Sequence, residues 1–558
     1  MKSRSFFQLV AYLLLTKLSF GQTLPASGFE PFEELLRREQ LAGNAEIDLS
    51  FASRPIDSRY LDSLNLPFDN SLRLNGSSAP GHLQISLLPL LNRFSYNSFT
   101  PYSRNDGTML PAVGAQNIIS AGVFLKYRGF SMQLRPEWQY AANKNYQGYP
   151  DIQYDINWVR RYVWWNKIDQ PEVIGPAKYK SLLPGQSNVQ YSFGKLAVAV
   201  STENLWWGPS KRNALIMSNN ARGFAHLTLR TSSPVKTKIG GLEGQLIAGN
   251  LINSGGTPPE PERKYLSNQL YYPKKNKWRY LSGINFVWQP IWVKGLFVGF
   301  SKTKQLYYSD LKQLVDYVPF FVPKDDPIAS VQIGRSPSQQ QSSGYVRWVF
   351  NKEHAEVYAE FGSHGKRKTL RQWLEQPEKN RGVTVGLSKM FLKEKDVYWQ
   401  VDVELTQLEQ TQKAGIFQAQ SWYLGDYVRQ GYTQRGELLG ATIGPGSNSQ
   451  YLQIARGRSL NRVALFMERL VNNNDYYIFD YSDYGDFRRH WVDYTIGLDA
   501  SWRLSSFVLA GQVVYTRSLN YQWQLVNTPG GPWFIAGRDV NNLHASISCT
   551  YLFKHQKN

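Results

Sequence analysis

The side chains best equipped for chemistry fall in one short stretch, Glu203-Asn204-Leu205-Trp206-Trp207-Gly208-Pro209. It continues through Asn213 into Ser218-Asn219-Asn220-Ala221-Arg222-Gly223-Phe224. Adjacent indoles, amides, a carboxylate and a guanidinium sit among Gly and Pro residues that rule out a regular helix or a continuous strand. Indole faces pack on the C–H faces of a sugar ring. Asn, Glu and Arg bond its hydroxyls or pair with its acidic groups. The stretch reads as a recognition surface and not as core, with Glu203, Asn204, Trp206, Trp207, Asn213, Asn219, Asn220 and Arg222 as the candidate ligand-binding residues. Paired tryptophans also collect where a barrel meets the membrane–water interface. Residue types alone leave both readings open.

The segments that would position this stretch alternate with a period of two. Phe130, Met132, Leu134, Trp138 and Tyr140 interleave with Ser131, Gln133, Arg135, Glu137 and Gln139. Val397, Trp399, Val401, Val403 and Leu405 do so with Tyr398, Gln400, Asp402, Glu404 and Thr406, and Ala355 to Phe361 repeats the pattern. Each is a strand with one apolar face. In a soluble sandwich the polar face meets water; in a membrane barrel it lines the lumen. Period does not separate these, but loop length does. Tight connections fall near Gly129, Gly194-Lys195, Pro290 to Lys294, Asn351-Lys352, Lys393 to Lys395, Gly457 to Leu460 and Arg503-Leu504. Long segments near 141–187, 205–222, 251–279, 304–343, 363–381, 407–449, 471–490 and 517–541 lie between them. That rhythm belongs to barrels with short periplasmic turns and long external loops, and it predicts an all-β chain forming a transmembrane antiparallel β-barrel of about 18 strands. Strand five then carries the Trp206-Trp207 loop to the external side or into the barrel mouth, unless the count is off by one.

Composition agrees. Aromatics are 14% of the 558 residues while mean hydropathy is only -0.42, as strands apolar on one face require. Lys2 and Arg4, the apolar run Phe6 to Leu15 and the small-x-small site Ser19-Phe20-Gly21 predict a cleaved secretory signal over 1–21. The lone Cys549 excludes an intramolecular disulfide. No later run is apolar enough for a membrane helix, so a closed barrel is the remaining way to span lipid. The segment Pro31 to Leu41, with Pro in the first turn, Glu early, Arg late and Gly43-Asn44 after it, predicts a helix. A second helical piece is expected near Ser58 to Leu66. These place a periplasmic helical cap or plug over 22–81 and the barrel over 82–558. A net charge of +20 attracts phosphorylated lipid or acidic polysaccharide. Export makes nucleic acid the least expected partner.

Other constellations compete with simpler explanations. Asn472 to Tyr477 and Asp480 to Asp486 alternate acids and tyrosines without the calcium-loop spacing, so a solvated Tyr-rich loop is expected. Tyr521, Trp523, Trp533 and Phe534 form a second candidate stacking surface or an aromatic girdle. His364 to Lys368 with Arg371, Trp373 and Leu374 is a basic cluster for lipid phosphates or solvent. No His pair has metal-ligand spacing, no nucleophile elbow or phosphate loop occurs, and Glu356 and Glu360 lie about 13 Å apart on an extended strand, too far for glycoside cleavage. The sequence predicts no enzyme, metal or cofactor.

The central motif resembles the capsule-assembly Wzi family. Arg135-Pro136-Glu137 with Tyr140-Ala141, Glu34-Leu35-Leu36-Arg37-Arg38 and Ser53-Arg54-Pro55 carry the likeness further, from the first helix to about residue 250. The resemblance implies a bacterial outer-membrane barrel with a periplasmic helical region, acting as a lectin that binds capsular or extracellular polysaccharide for assembly or surface attachment. Outer-membrane lipid or lipopolysaccharide and other polysaccharide-export components are the further partners expected. A pore for solutes or oligosaccharides is the alternative. Long aromatic loops in the second half depart from the family's shorter members.

Overall fold

The structure, a computed structural model, describes residues 23–44, 47–62, 83–149, 153–319, 338–365, 370–393, 397–410, 419–481, 489–524 and 538–553. The expected signal segment lies outside these residues, as do Trp533 and Phe534.

Hydrogen-bonded strands close into one antiparallel barrel. Three of the strands are each interrupted, and counting each interrupted strand once gives eighteen. In chain order they are β1 (Gln84–Asn97), β2 (Gly114–Tyr127), β3 (Phe130–Leu134 and Glu137–Ala141), β4 (Tyr179–Leu183 and Asn188–Phe193), β5 (Leu196–Ser201) and β6 (His226–Thr231 and Val235–Thr237). There follow β7 (Gly240–Leu251), β8 (Arg279–Pro290), β9 (Leu296–Tyr307), β10 (Gln339–Phe350), β11 (Ala355–His364) and β12 (Arg381–Leu392). The circuit ends with β13 (Tyr398–Gln407), β14 (Asn448–Arg458), β15 (Asn461–Val471), β16 (Val492–Leu504), β17 (Phe507–Leu519) and β18 (Val540–Tyr551). β18 pairs with β1, so no edge is left open.

Burial decides between sandwich and membrane barrel. Outward positions are apolar and exposed, as at Val198, Val200, Leu227 and Leu229, while inward neighbours such as Gln190, Ser192, Thr228 and Arg230 are polar and buried. Water-soluble sheets show the reverse. Aromatic rows edge this apolar belt: Trp292, Trp348, Trp399 and Trp502, with the half-buried Trp288, at the short-turn end, and Tyr96, Trp138, Trp278 and Tyr494 at the long-loop end. Short and long connections alternate as the sequence predicted. Two more were not anticipated, a tight one at 238–239 and a long one at 98–113.

Both ends of the lumen are filled. At the short-turn end sits helix α1 (Glu30–Ala42), with Pro31 in its first turn and Gly43 closing it at φ 72°. Leu35, Leu36 and Phe32 pack with Leu24, Phe51 and Ile56, and meet Leu460, Val508 and Leu552 of the barrel. Polar ties fix it to the wall: Arg37 Nε donates to Glu356 at 2.8 Å, and Arg347 Nε reaches the other oxygen of that carboxylate at 2.7 Å. Glu356 is thus a charged lumen anchor. The second helical piece is one turn, Arg59–Asp62, and residues 63–82 are outside the described set.

At the long-loop end the connections fold inward around an aromatic core. It includes helices α2 (Asp155–Trp165) and α3 (Asn474–Tyr481). Of the solvated loop expected over 472–486, residues 474–481 are instead this buried α3, and 482–486 lie outside the described residues. Tyr476 and Tyr477 pack inside the core, where an extended loop would strand its backbone groups without partners. Of the basic cluster, His364 is buried at the end of β11. Lys366, Arg367 and Lys368 lie outside the described residues, and Arg371 pairs with Glu375 at 2.6 Å.

Candidate functional site

The β5–β6 connection, residues 202–225, folds into the lumen and crosses it. Trp206 and Trp207 pair with Arg54 and Ser53 in a short antiparallel ladder. The Trp207 indole N–H donates to Gln245 Oε1 on β7 at 2.8 Å. Its ring lies so close to Gly283 of β8 that a Cβ there would fall 2.7 Å from it. Gly208 takes φ 109°, and a Cβ on it would come 2.9 Å from the Glu360 carboxylate, so only glycine serves at this corner.

The polar residues of the motif also bond within the lumen. The Glu203 carboxylate accepts from Thr23 Oγ1 and, at 3.0 Å, from Ser201. Asn204 donates to Asn219 Oδ1 at 2.6 Å and to the Ala221 carbonyl at 2.8 Å. Asn219 in turn donates to the carbonyls of Ala26 and Asn105, at 3.2 and 2.8 Å. The backbone N–H of Asn213 donates to Glu404 Oε1 of β13 at 2.8 Å. Arg222 meets Glu437 at 3.3 Å and the Tyr179 hydroxyl at 3.3 Å. Arg54 lies 4.6 Å from the Trp206 ring centroid and 2.7 Å from Glu33. Burial pulls this guanidinium down to about 10 against the opposing pull of Glu33.

These contacts correct the expectation of an open recognition surface. Glu203, Asn204, Trp206, Trp207, Asn213, Asn219 and Arg222 are buried, with the Trp207 side chain fully enclosed. Their contacts run to the N-terminal segment, the wall and the neighbouring loop, so the stretch is enclosed within the lumen and does not form an open outer surface. The stretch is a cross-brace. Neither is it a membrane-interface belt, since it faces the lumen. Trp206 borders an internal polar cavity of about 190 Å³ beside α1. Asn220 is the exception: half-buried, donating to the Leu438 carbonyl at 3.0 Å, it reaches a second cavity.

That second cavity, a cleft of about 340 Å³, opens among the long loops. Tyr102 and Arg104 come from the β1–β2 loop; Arg161, Trp164 and Glu172 from the β3–β4 connection; Glu437 from the β13–β14 loop. Asn472, Asn473 and Trp491 flank α3, and Tyr521 and Trp523 follow β17. Trp491 is the partly open ring among these. It stands edge-on to Tyr521 and Trp523 at centroid distances of 5.2 Å each, and its N–H donates to Asp493 at 2.8 Å. Asn472 Nδ2 donates to the other Asp493 oxygen at 2.9 Å. The Arg161 guanidinium lies 4.8 Å from the Trp165 ring and 5.2 Å from that of Trp523. Burial lifts the Glu437 carboxyl to about 7, with Arg222 holding it back, and burial likewise raises Glu172 against Arg161.

Aromatic rings, amides, carboxylates and arginines converging in one concavity can stack on and hydrogen-bond a polyhydroxylated ligand. Tyr521 and Trp523, the described part of the second stacking surface, lie here with Asn472 and Asn473. Sequence reasoning missed Tyr102, Arg104, Arg161, Trp164 and Trp491. The available signal was Trp158, Tyr162 and Trp165 at i, i+4 and i+7, the stripe that builds α2.

Fold and site define a plugged eighteen-stranded transmembrane β-barrel with an aromatic, polar cleft among its long loops. A family model described as capsule assembly protein Wzi matches residues 113–475, more than half of the sequence. The chain belongs to the capsule assembly protein Wzi family. Among solved structures it is similar to Wzi of Escherichia coli, described as an outer-membrane protein involved in group 1 capsule assembly and a carbohydrate-binding β-barrel. The TM-score is 0.59 at 11% identity, covering 96% of this chain and 100% of that one. Acinetobacter baumannii OccAB2 (TM-score 0.40, 9% identity, 84% and 98% covered) and Pseudomonas aeruginosa OpdQ (0.39, 9%, 84% and 97%) also match, too distantly to carry an argument. Comparison with curated proteins gives no match.

Proposed function

We propose that this chain binds an exported polysaccharide at the outer membrane without transforming it, serving assembly or surface attachment of a capsule or exopolysaccharide. The observation that carries this reading is the cleft, where a partly open indole and further rings stand beside amides, carboxylates and arginines. Family membership and the carbohydrate-binding relative support it. Trp491, backed by Tyr521, offers its ring face, Asn220, Asn472 and Asn473 read hydroxyls, and Arg161 meets acidic groups. Of the sequence motif, only Asn220 touches the ligand; Glu203, Asn204, Trp206, Trp207, Asn213, Asn219 and Arg222 hold the loop that floors the site. The long loops face the cell exterior, where the polymer arrives with other export components. Cleavage after Gly21 leaves Thr23 to enter the lumen and meet Glu203. The pore alternative fits poorly with a lumen crossed by α1 and residues 202–225. A glycan-array profile of the purified mature protein tests the reading: selective binding to polysaccharide supports it, and a blank array with a folded barrel removes it.

A further inference from the structure

The outer wall carries a feature that the glycan reading does not use. Near the long-loop end, Arg469 of β15 lies opposite Gln450 of β14 and opposite Tyr494 of β16. Tyr494 lies opposite Arg517 of β17. All point outward and are exposed, so two arginines flank a tyrosine across strands spaced ~4.8 Å apart. Directly below them the wall hollows into a shallow groove of about 680 Å³ with an apolar floor that includes Leu452, Met467 and Ile496.

A long cationic side chain beside lipid can merely snorkel toward water. Two observations point to more. Arg469 donates to Gln450 Oε1 at 2.9 Å and, among the described residues, has no ion-pair partner, while Arg517 shares Asp539 at 3.1 Å. A cation without an ion-pair partner among the described residues thus tops an apolar groove on the lipid-facing wall. Guanidinium groups bind phosphate in a bidentate fork, and basic sites above apolar surface capture lipid headgroups. A second copy of the chain docked face to face would bring like charges together.

We propose that this groove is a site for a phosphorylated, acylated lipid of the adjoining leaflet. The phosphate is clamped by Arg469 with Arg517, and an acyl chain lies over Leu452, Met467 and Ile496. The site faces away from the cleft, so its failure and that of the glycan reading are separately visible. The test is native mass spectrometry of the full mature protein released from nanodiscs of phosphatidylcholine doped with lipid A. Wild type retains one lipid A per barrel. R469Q/R517Q cuts retention about tenfold, the order of one lost bidentate contact, and Met467→Trp, which fills the groove and spares the arginines, cuts it too. Should the double variant fail to fold, R469Q alone and Met467→Trp decide. Equal retention in these variants, displacement by inorganic phosphate alone, or a dimer in place of the lipid adduct overturns the proposal. Glycan binding by R469Q/R517Q stays at the wild-type level.

Discussion

Replacing Trp207 with Ala separates brace from binding surface. The indole is fully enclosed, bonds Gln245 at 2.8 Å and rests on Gly283. Truncating a buried tryptophan costs roughly 3–5 kcal/mol. Leaving Gln245 Oε1 without its donor adds about 1 kcal/mol, although the amide nitrogen of Gln245 keeps Thr228 at 3.2 Å. A total near 5 kcal/mol lowers the folded-to-unfolded ratio by more than a thousandfold at 1.4 kcal/mol per decade. Equilibrium urea unfolding in detergent micelles, followed by far-ultraviolet circular dichroism, reads this as a large fall in midpoint. Trp207→Phe, which keeps most of the packing, recovers a good part of it. An unchanged midpoint together with lost glycan retention would refute the reasoning, because Trp207 would then act on ligand and not on fold.

Gly208→Ala forces a Cβ into a φ of 109° and to 2.9 Å from the Glu360 carboxylate. It should destabilise the barrel by about 1–3 kcal/mol in the same unfolding assay. Asp475, in the first turn of α3, is pushed up to about 6 by burial against its bonds from Ser421 and the Gln410 N–H. A carboxyl raised in the fold favours the protonated native state, so its contribution is full below pH 4 and is lost as pH rises through 6. Hydrogen exchange in α3 should therefore quicken from pH 4 to 7 after correction for intrinsic rates, and Asp475→Asn should flatten that dependence. With α1 and residues 202–225 across the lumen, planar bilayers holding the wild-type protein should show no steady conductance; a sustained open level would return the pore reading.

The barrel was legible because its signal is local. Alternation at Val397 to Leu405 needs only neighbouring residues, and short and long connections recur along the chain whatever the register. The role of Trp206 and Trp207 was not legible, because indoles, amides and Gly-Pro corners look the same in a lumen brace and on an open surface. What decides is the set of partners, and those are remote in sequence: Gln245, Glu404, Thr23 and Arg54. The cleft was half visible. Tyr521, Trp523, Asn472 and Asn473 stood out by type but in separate loops, and nothing in either loop indicates that both close over Trp491. Arg161 and Trp164 escaped notice because the β3–β4 connection was read for its length and not for the helical stripe inside it.

The central claim is that polysaccharide is held in the cleft of the long loops and not by the paired indoles. Titrating a glycan that the array selects into the purified wild-type protein and into Trp491→Ala, by isothermal calorimetry, tests it most directly. Loss of one stacking ring at an aromatic–sugar contact should weaken binding about tenfold, a change on the order of 1–1.5 kcal/mol, in protein whose far-ultraviolet circular dichroism still shows the folded barrel. Unaltered affinity in Trp491→Ala, alongside abolished binding in a well-folded Trp206→Phe or Trp207→Phe protein, would contradict it.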